Sequence, residues 1–376
     1  MDHLPLEILF KILKACSFDD IQHLACSSQF FRKTTRSILW KKVTIPLNGY
    51  AELKDKPLEA LQNTRSIIFK NDFMTISPTG GVQMLEKILP HCNKSKIDLL
   101  SFNSIFYKNV IPYTLAYFDH VETLEFDSCS YLRDNCPPID RIPTYKVLSF
   151  NGYTRFDEQI IRQNHHLEEI IINHGCSIDT GEIQVLGKAT SLKKLELCCV
   201  NQYEHSQPGN YLNFKPLGQL TNLTFLDLSF CYIPKDSFQE LCKKLAKLEV
   251  LKLFHSSTES EALKSLKHLE SLKELEIVPP RYHNMTIEFF KSLKASTTLR
   301  EITFHFTMCR GEDRQYVACL NSFNSLKKIN IRSPGEIIDD IILDLDSVWE
   351  YQEWTHAGMT FCNDIGTELV IMFAKA

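Results

Sequence analysis

Large apolar residues recur along most of the chain in one short pattern, at positions i, i+3 and i+5. The clearest copies are Leu192/Leu195/Leu197, Leu223/Leu226/Leu228, Leu248/Leu251/Leu253, Leu272/Leu275/Ile277, Leu299/Ile302/Phe304 and Leu326/Ile329/Ile331. Earlier copies are Ile97/Leu100/Phe102, Val121/Leu124/Phe126, Tyr145/Leu148/Phe150 and Leu167/Ile170/Ile172, with Thr64/Ile67/Phe69 as a weak first copy. The pattern therefore predicts about ten or eleven repeats of one structural unit.

The spacing inside each copy predicts a short strand. Residues i+3 and i+5 share one face of a strand because side chains alternate, and residue i belongs to the turn before it. Successive copies begin about 25 residues apart, and two longer steps mark inserted loops, one of them at about residues 200–214. One such strand cannot bury its apolar face alone, whereas stacked copies form a parallel sheet with a continuous core.

Segments between several strands have apolar residues at helical spacing. The clearest are Phe238/Leu241/Cys242/Leu245 and Ala262/Leu263/Leu266/Leu269. Asp236, which follows Pro234, is predicted to cap the first of these helices. Alternating strands and helices indicate an α/β chain.

The period and the apolar pattern resemble the leucine-rich-repeat family over about residues 64–331. Two copies add a cysteine three residues beyond the last apolar position, at Cys129 and Cys231, as in the cysteine-containing class of these repeats. The resemblance implies a curved solenoid with parallel strands on its concave face and helices on its convex face. It also implies that both cysteines lie beneath the turn from strand to helix and are structural rather than metal-binding.

Residues 4–40 have a different pattern, which predicts three short helices with more apolar surface than so small a unit can bury. The order Leu4-Pro5-x-Glu7-Ile8-Leu9-x-x-Ile12, Asp20-Ile21-x-x-Leu24-Ala25-Cys26-Ser27, Phe31-Arg32 and Leu39-Trp40 resembles the F-box motif. Phe31 stands where many F-boxes have Trp, and the spacing before Leu39 is slightly short. A plain N-terminal cap of the repeats is the alternative, but it does not account for the ordered motif.

The F-box resemblance implies partners. F-box helices pack on a Skp-type adaptor, which links them to a cullin scaffold and a RING-bound ubiquitin-conjugating enzyme. By resemblance, the adaptor contacts are Leu4, Pro5, Ile8, Leu9, Ile12 and Leu24. The implied domains are an F-box-like module at residues 1–45, a linker and N-terminal cap at 46–63, the repeats at 64–334 and an acidic C-terminal cap at 335–376.

Three rows of side chains are predicted to project from the strands on the face opposite the core, at positions i+1, i+2 and i+4. The first row is Glu168, Lys193, Thr224, Glu249, Lys273, Arg300 and Lys327. The second row is Glu169, Lys194, Phe225, Val250, Glu274, Glu301 and Lys328. The third row is Ile171, Glu196, Asp227, Lys252, Glu276, Thr303 and Asn330.

Mixed signs in these rows indicate that most charges pair with their neighbours. Phe225 and Val250 form an adjacent apolar pair among the charges and are predicted to anchor a side chain of a target protein. The candidate target-binding residues are Lys194, Phe225, Val250, Lys252, Glu274 and Arg300.

Basic and acidic residues are segregated into two successive stretches near the C-terminal end. Basic residues accumulate from Arg300 to Arg332, whereas residues 336–353 are acidic and contain neither Lys nor Arg. Apolar positions in this acidic segment, together with Trp349 and Trp354, predict a cap that closes the last repeat. Its acids either pair with the basic end of the array or present an acidic patch.

The composition limits the partners and the cellular compartment that are expected for the protein. The chain has 376 residues, of which 44% are hydrophobic, and a net charge of -4, so nucleic acid and anionic membranes are not expected as partners. The N-terminus lacks a secretory pattern, and no apolar run is long enough to span a bilayer. The 13 scattered cysteines are then expected to be reduced, in the cytoplasm or the nucleus.

Catalytic motifs are missing from the sequence. It has no phosphate-binding Gly-rich loop, dinucleotide fingerprint, Cys-x-x-Cys pair, His-Glu-x-x-His stretch or Gly-x-Ser-x-Gly elbow, so neither an enzyme nor a cofactor is expected. The sequence predicts the target-binding subunit of a Skp–cullin–F-box ubiquitin ligase. The alternatives are a binding scaffold without a ligase role and, more weakly, a small-GTPase activator that uses Arg310.

Overall fold

A computed structural model describes most of the repeat region and shorter stretches elsewhere. The described residues are 12–13, 16, 23–24, 27, 41–47, 58–71, 78–105, 110–129, 142–152, 154, 158–173, 175–176, 178–198, 212–254, 256, 258–277, 289, 293, 298–305, 325–334, 354–362 and 368–375. The chain divides into two compact units, Met1–His166 and Leu167–Ala376. This boundary falls inside the predicted repeat array, where the sequence pattern runs on without a break.

The first unit is built on parallel strands that pair in chain order. Its strands are β1 (Lys42–Pro46), β2 (Ser66–Lys70), β3 (Leu99–Asn103), β4 (Thr123–Asp127) and β5 (Val147–Asn151). Its helices are α1 (Pro78–Ile88), α2 (Val110–Tyr117) and α3 (Glu158–Arg162), with 3₁₀ turns at Leu58–Asn63 and Leu89–His91.

A column of phenylalanines forms the centre of the first unit. Position i+5 of four successive copies is Phe69, Phe102, Phe126 and Phe150, and all four side chains are fully buried. Neighbouring rings are stacked, with centroids 5.7, 5.4 and 5.3 Å apart along the column. The pattern that predicted the strands therefore also aligns large aromatic side chains, whose burial stabilises the array.

Strand β1 precedes the first predicted copy and crosses the predicted boundary at residue 45. It pairs in parallel with β2, with Val43 opposite Ile67 and Ile45 opposite Phe69. The sequence carries a signal for it, since Trp40, Val43 and Ile45 also stand at i, i+3 and i+5. This copy overlaps the F-box-like motif, whose last residue is also Trp40.

The second unit continues the same architecture with parallel strands in chain order. They are β6 (Glu169–Ile172), β7 (Lys194–Leu197), β8 (Phe225–Asp227), β9 (Val250–Leu253), β10 (Glu274–Ile277), β11 (Glu301–His305) and β12 (Lys328–Pro334). Its helices are α4 (Thr180–Gly187), α5 (Lys235–Lys244) and α6 (Ser260–Leu263), with 3₁₀ turns at Lys215–Gln219 and Lys264–His268. Each predicted copy of the repeat is thus a strand, and the parallel pairing that the period predicted is present in both units.

Helix α5 buries the predicted apolar side, namely Phe238, Leu241 and Cys242. The predicted cap is wrong, because the N-cap residue is Pro234 and no side chain caps the helix. The extended backbone of Pro234 starts the helix at Lys235 and places Asp236 inside the first turn, beyond the position from which a side chain caps.

The two repeat cysteines are structural, as predicted. Both are buried, and the Cys129 thiol donates to the Phe102 carbonyl at 3.3 Å. The Cys231 thiol donates in the same way to the Leu197 carbonyl at 3.0 Å. Burial raises the pKa of the Cys129 thiol to about 12, so it remains protonated at neutral pH.

The array ends in an antiparallel hairpin. Strands β13 (Trp354–Cys362) and β14 (Glu368–Lys375) pair with each other, and β14 also pairs antiparallel with β12. The order at this edge is therefore β12-β14-β13. A C-terminal cap was predicted for residues 335–376, and the described part of that range is this hairpin; the acidic residues 336–353 lie outside the described residues.

Candidate binding face of the second unit

The three predicted rows form on the side of the sheet opposite the core. Strand register aligns Lys194 with Phe225, Phe225 with Val250, and Val250 with Glu274 in the second row. The third row is aligned in the same way by Asp227 opposite Lys252. In the first row, the backbone N–H of each residue donates to the carbonyl of the residue before it, as Lys327 does to Arg300 at 2.8 Å.

Phe225 lies at the centre of this face, between two lysines. The ammonium nitrogen of Lys194 is 5.3 Å from the ring centroid, and that of Lys252 is 5.5 Å away. Both distances fall within the range of a cation–π attraction. Phe225 and its neighbour Val250 are half-buried, so the apolar pair is accessible but its aromatic ring is partly covered by cationic side chains.

Acidic neighbours hold these lysines in place. Lys194 pairs with Glu196 at 3.0 Å and with Glu169 at 3.6 Å, and Lys252 pairs with Glu276 at 3.8 Å. Burial lowers the pKa of Lys194, but the hydrogen bonds and charges of Glu196 and Glu169 outweigh it, so that the pKa is raised overall. The prediction that most charges of the rows pair with neighbours is confirmed here.

The carboxyl of Asp227 is set apart from these pairs. Its Oδ1 accepts a hydrogen bond from the backbone N–H of Ser229 at 2.8 Å. Burial raises the pKa of Asp227, and this outweighs the hydrogen bonds of Ser229 and the charge of Lys252, which lower it. Asp227 thus places a partly desolvated carboxyl two residues from Phe225 on the same face.

Three other charges on this face are exposed and belong to no ion pair among the described residues: Glu274 in the second row, and Arg300 and Lys327 in the first row. Their neighbours are paired, since Lys273 contacts Glu249 at 2.7 Å and Lys328 contacts Glu301 at 2.8 Å. The basic end of the face therefore presents two uncompensated cations on adjacent strands.

The third row does not remain accessible along its whole length. Thr303 and Asn330 are only 8% and 7% exposed. The Asn330 amide donates to Glu301 at 2.6 Å and to Thr303 at 3.0 Å. Both residues lie in the predicted row, but their side chains are buried, so that only the first two rows remain open on β11 and β12.

The six candidate target-binding residues do not form one cluster. Lys194, Phe225, Val250 and Lys252 lie together on β7 to β9, and Glu274 follows on β10. Arg300, which precedes β11, is four strands from Lys194, or about 19 Å at the usual strand spacing. The face therefore has an apolar centre and a separate cationic end.

Four of the six predicted adaptor contacts lie outside the described residues, namely Leu4, Pro5, Ile8 and Leu9. Ile12 is described and is 42% exposed, which sets it apart from the other large aliphatic side chains among the described residues. Leu24 is half-buried. Arg310 also lies outside the described residues.

One feature of the first unit escaped the sequence reasoning. Ser104, Ser128 and Gly152 follow β3, β4 and β5 and have left-handed backbones, with φ of 55°, 53° and 64°. Asp127 joins two of these turns, since it accepts hydrogen bonds from Asn103 and Ser128, both at 3.0 Å. The available signal was the recurrence of Asn-Ser, Asp-Ser and Asn-Gly directly after each strand's last phenylalanine.

Two kinds of site are not found in the described parts of the two units. No three His, Cys, Asp or Glu side chains of these residues are grouped as around a metal ion. None of the described helices combines the length and apolar character needed for a membrane span.

Comparisons with known proteins were made for the whole chain. No protein-family model and no curated protein matches it. A chain in the crystal structure of a TLR13–ssRNA13 complex is similar at 17% identity and a TM-score of 0.48, over 77% of this chain and 40% of that one. An internalin (inlF) from Listeria monocytogenes is similar at 14% identity and a TM-score of 0.46, over 82% of this chain and 87% of that one. The protein thus spans well under two thirds of the first of these, and its repeat fold rests on the strand register described above.

Proposed function

We propose that this protein is a non-catalytic receptor that binds a target protein on the open face of the second unit's sheet. The observation that carries the proposal is the pair Phe225 and Val250, half-buried side by side on adjacent parallel strands and surrounded by charged side chains. Such an arrangement offers an apolar anchor within a polar rim, which is the usual composition of a binding hot spot. Rigid strands also preorganise the anchor, which lowers the entropic cost of binding.

The proposal extends to a second partner, a Skp-type adaptor that links the protein to a cullin–RING ubiquitin ligase. Its support is the F-box-like order from Leu4-Pro5 to Leu39-Trp40, together with the exposure of Ile12. In that role the protein accelerates ubiquitin transfer by holding the target near the ubiquitin-loaded enzyme, through effective concentration rather than its own chemistry.

The target-binding proposal is tested by quantitative affinity purification with the full chain and its Phe225→Ala variant. Phe225 is outside the core, so the variant is expected to fold while the set of bound proteins is lost. Tyr113→Ala is the matched control, because Tyr113 is also an accessible aromatic residue, 38% exposed on α2 of the first unit. Equal losses in both variants, or no loss in Phe225→Ala, would contradict the assigned face.

The adaptor proposal is tested separately with a purified Skp-type adaptor. The full chain is expected to bind it, and the double variant Pro5→Ala with Ile8→Asp is expected to lose binding, whereas Phe225→Ala retains it. Undiminished binding by the double variant contradicts the adaptor contacts. Adaptor binding without recruitment of a cullin favours the scaffold alternative.

A further inference from the structure

Arg300 and Lys327 are the distinctive charges of the open face. Both side chains are exposed, and neither has an ion-pair partner among the described residues. The Lys327 backbone N–H donates to the Arg300 carbonyl at 2.8 Å, so the two residues occupy equivalent positions on adjacent strands. Their backbones are then about 4.8 Å apart, with like charges side by side.

Among the described residues, no acidic side chain compensates this pair. Like charges opposite each other on adjacent strands destabilise a sheet. The other two lysines of the first row are compensated, because Lys193 pairs with Glu168 at 2.9 Å and Lys273, which neighbours Arg300, pairs with Glu249 at 2.7 Å. An anion placed over Arg300 and Lys327 would relieve the repulsion between them.

We propose that the target segment is an extended acidic peptide, which places an apolar side chain on Phe225 and Val250 and carboxylates or phosphates on Arg300 and Lys327. This inference rests on the proposed receptor function and specifies the chemistry of its partner. Arg300 suits a planar carboxylate or a phosphate because its guanidinium donates two parallel hydrogen bonds.

Strand spacing fixes the separation of the two features. The distance from Val250 on β9 to Arg300, just before β11, is two strand spacings, or about 10 Å, and Lys327 is about 5 Å further. An extended peptide advances about 3.3 Å per residue and its side chains alternate, so an acidic residue four positions from the apolar one faces the two cations. Glu274 lies between the two features, is exposed and unpaired among the described residues, and repels an anion placed closer to the apolar residue.

The experiment is selection of a phage-displayed random peptide library on the full-length protein, with parallel selections on variants. Wild type is expected to enrich peptides with an apolar residue followed or preceded, four positions away, by Asp or Glu. Arg300→Glu with Lys327→Glu is expected to lose that acidic preference. Lys243→Glu with Lys267→Glu is the matched control, since it makes the same charge change at exposed lysines on the helical side and retains the wild-type preference.

Synthetic versions of the enriched peptides then identify the anion. Peptides with Glu, phosphoserine or Gln at the acidic positions are titrated against the protein, and the Gln version is expected to bind about tenfold more weakly than the better anion. Binding of the anionic versions weakens as salt is raised.

The possible results separate the two proposals. If the enriched peptides depend on Phe225 but show no acidic preference, or keep it on the Arg300→Glu/Lys327→Glu variant, the acidic-partner inference is overturned and the receptor proposal stands. If no enriched peptide depends on Phe225, the open face is not the binding surface and both proposals fail.

Discussion

Gly187, the last residue of α4, lies where the fold leaves no room for a side chain. A Cβ atom there would be 2.4 Å from the carbonyl oxygen of Pro216 and 2.8 Å from its carbonyl carbon. These are backbone atoms of the neighbouring 3₁₀ turn, so they cannot rotate away as a flexible side chain could. We expect Gly187→Ala to lower the free energy of unfolding by about 1–3 kcal/mol, measured by urea denaturation followed by circular dichroism.

Gly218 provides the control for that substitution. It lies in the same 3₁₀ turn as Pro216, but a Cβ atom there would meet only the Lys244 side chain, at 3.4 Å and beyond. Gly218→Ala is therefore expected to change stability much less than Gly187→Ala. Equal costs at the two positions would show that close approach to Pro216 is not what requires a glycine.

Asp227 gives a pH-dependent prediction. Burial raises the pKa of its carboxyl in the folded protein, so the native state binds this proton more tightly than the unfolded chain does. The resulting stability is fully present below the ordinary Asp pKa and is lost as the pH rises through the raised folded-state pKa. We therefore expect Asp227→Asn to unfold at higher urea concentration than wild type at pH 7, with the difference shrinking on acidification.

The Asp227→Asn variant keeps the main contact of the native side chain, because its amide oxygen can still accept from the Ser229 N–H. Glu270→Gln, at an exposed position in the same unit, is the control and is expected to show no comparable pH-dependent gain. A stabilisation of Asp227→Asn that is equal at every pH would show that ionisation is not its cause.

At the scale of elements, α4 and α5 begin differently. Asp179 caps α4 by accepting from the Glu182 N–H at 2.9 Å, while the Glu182 carboxylate accepts from the Asp179 N–H at 2.6 Å. This capping box satisfies donors that an uncapped helix leaves open. Asp179→Ala is expected to lower the free energy of unfolding, measured by urea denaturation, by about 1–2 kcal/mol.

Asp236 in α5 is the matched control for the cap. It lies in the first helical turn without a capping hydrogen bond, and its exposed contact with Lys215 is 3.7 Å long. Its replacement by Ala is expected to lower the free energy of unfolding by about 0.5 kcal/mol, because it removes a favourable interaction with the helix dipole and a surface ion pair. If Asp236→Ala proved the more damaging change, the helix start would have to be reassigned.

The strands could be predicted from sequence because the repeat encodes them locally. The three apolar positions of each copy are enough to predict its strand. Because Phe225 and Val250 occupy the same position in successive copies, the repeat also predicts that they are neighbours. The capping box has a sequence signal of its own, since Asp179 and Glu182 stand three positions apart, whereas Asp236 after Pro234 resembles a cap but lies inside the first turn. β1 was missed because Trp40 belongs to two overlapping patterns.

The face itself was only partly predictable. Row membership follows from side-chain alternation, but the burial of Thr303 and Asn330 depends on tertiary packing, which the strand pattern does not encode. The lysines beside Phe225 and the isolation of Arg300 and Lys327 depend on which rotamers and partners the neighbouring strands allow. Charge alternation in the sequence indicated pairing in general without identifying the charges left over.

At the scale of the whole molecule, a repeat array must end without exposing its last strand. An open strand edge offers unpaired N–H and C=O groups to other chains and favours aggregation. Here β14 covers β12 along Lys328–Pro334, and β13 becomes the outermost strand of this order. Of the two described hairpin strands, the later one is therefore the inner one, and the pairing of both of its neighbours depends on it.

This order predicts the effect of a short truncation. Removal of residues 368–376 deletes β14, so both the outer edge of β12 and the whole of β13 lose their pairing partner. Hydrogen exchange followed by mass spectrometry is expected to show lost protection in Lys328–Pro334 and Trp354–Cys362 together, while β7 to β9 stay protected. In the alternative order, with β13 beside β12, the same truncation would remove only an edge strand and leave both segments protected; that result would overturn the assigned ending. Because Lys327 directly precedes β12, the truncation is also expected to weaken anion binding at Arg300 and Lys327 while leaving contacts at Phe225 intact.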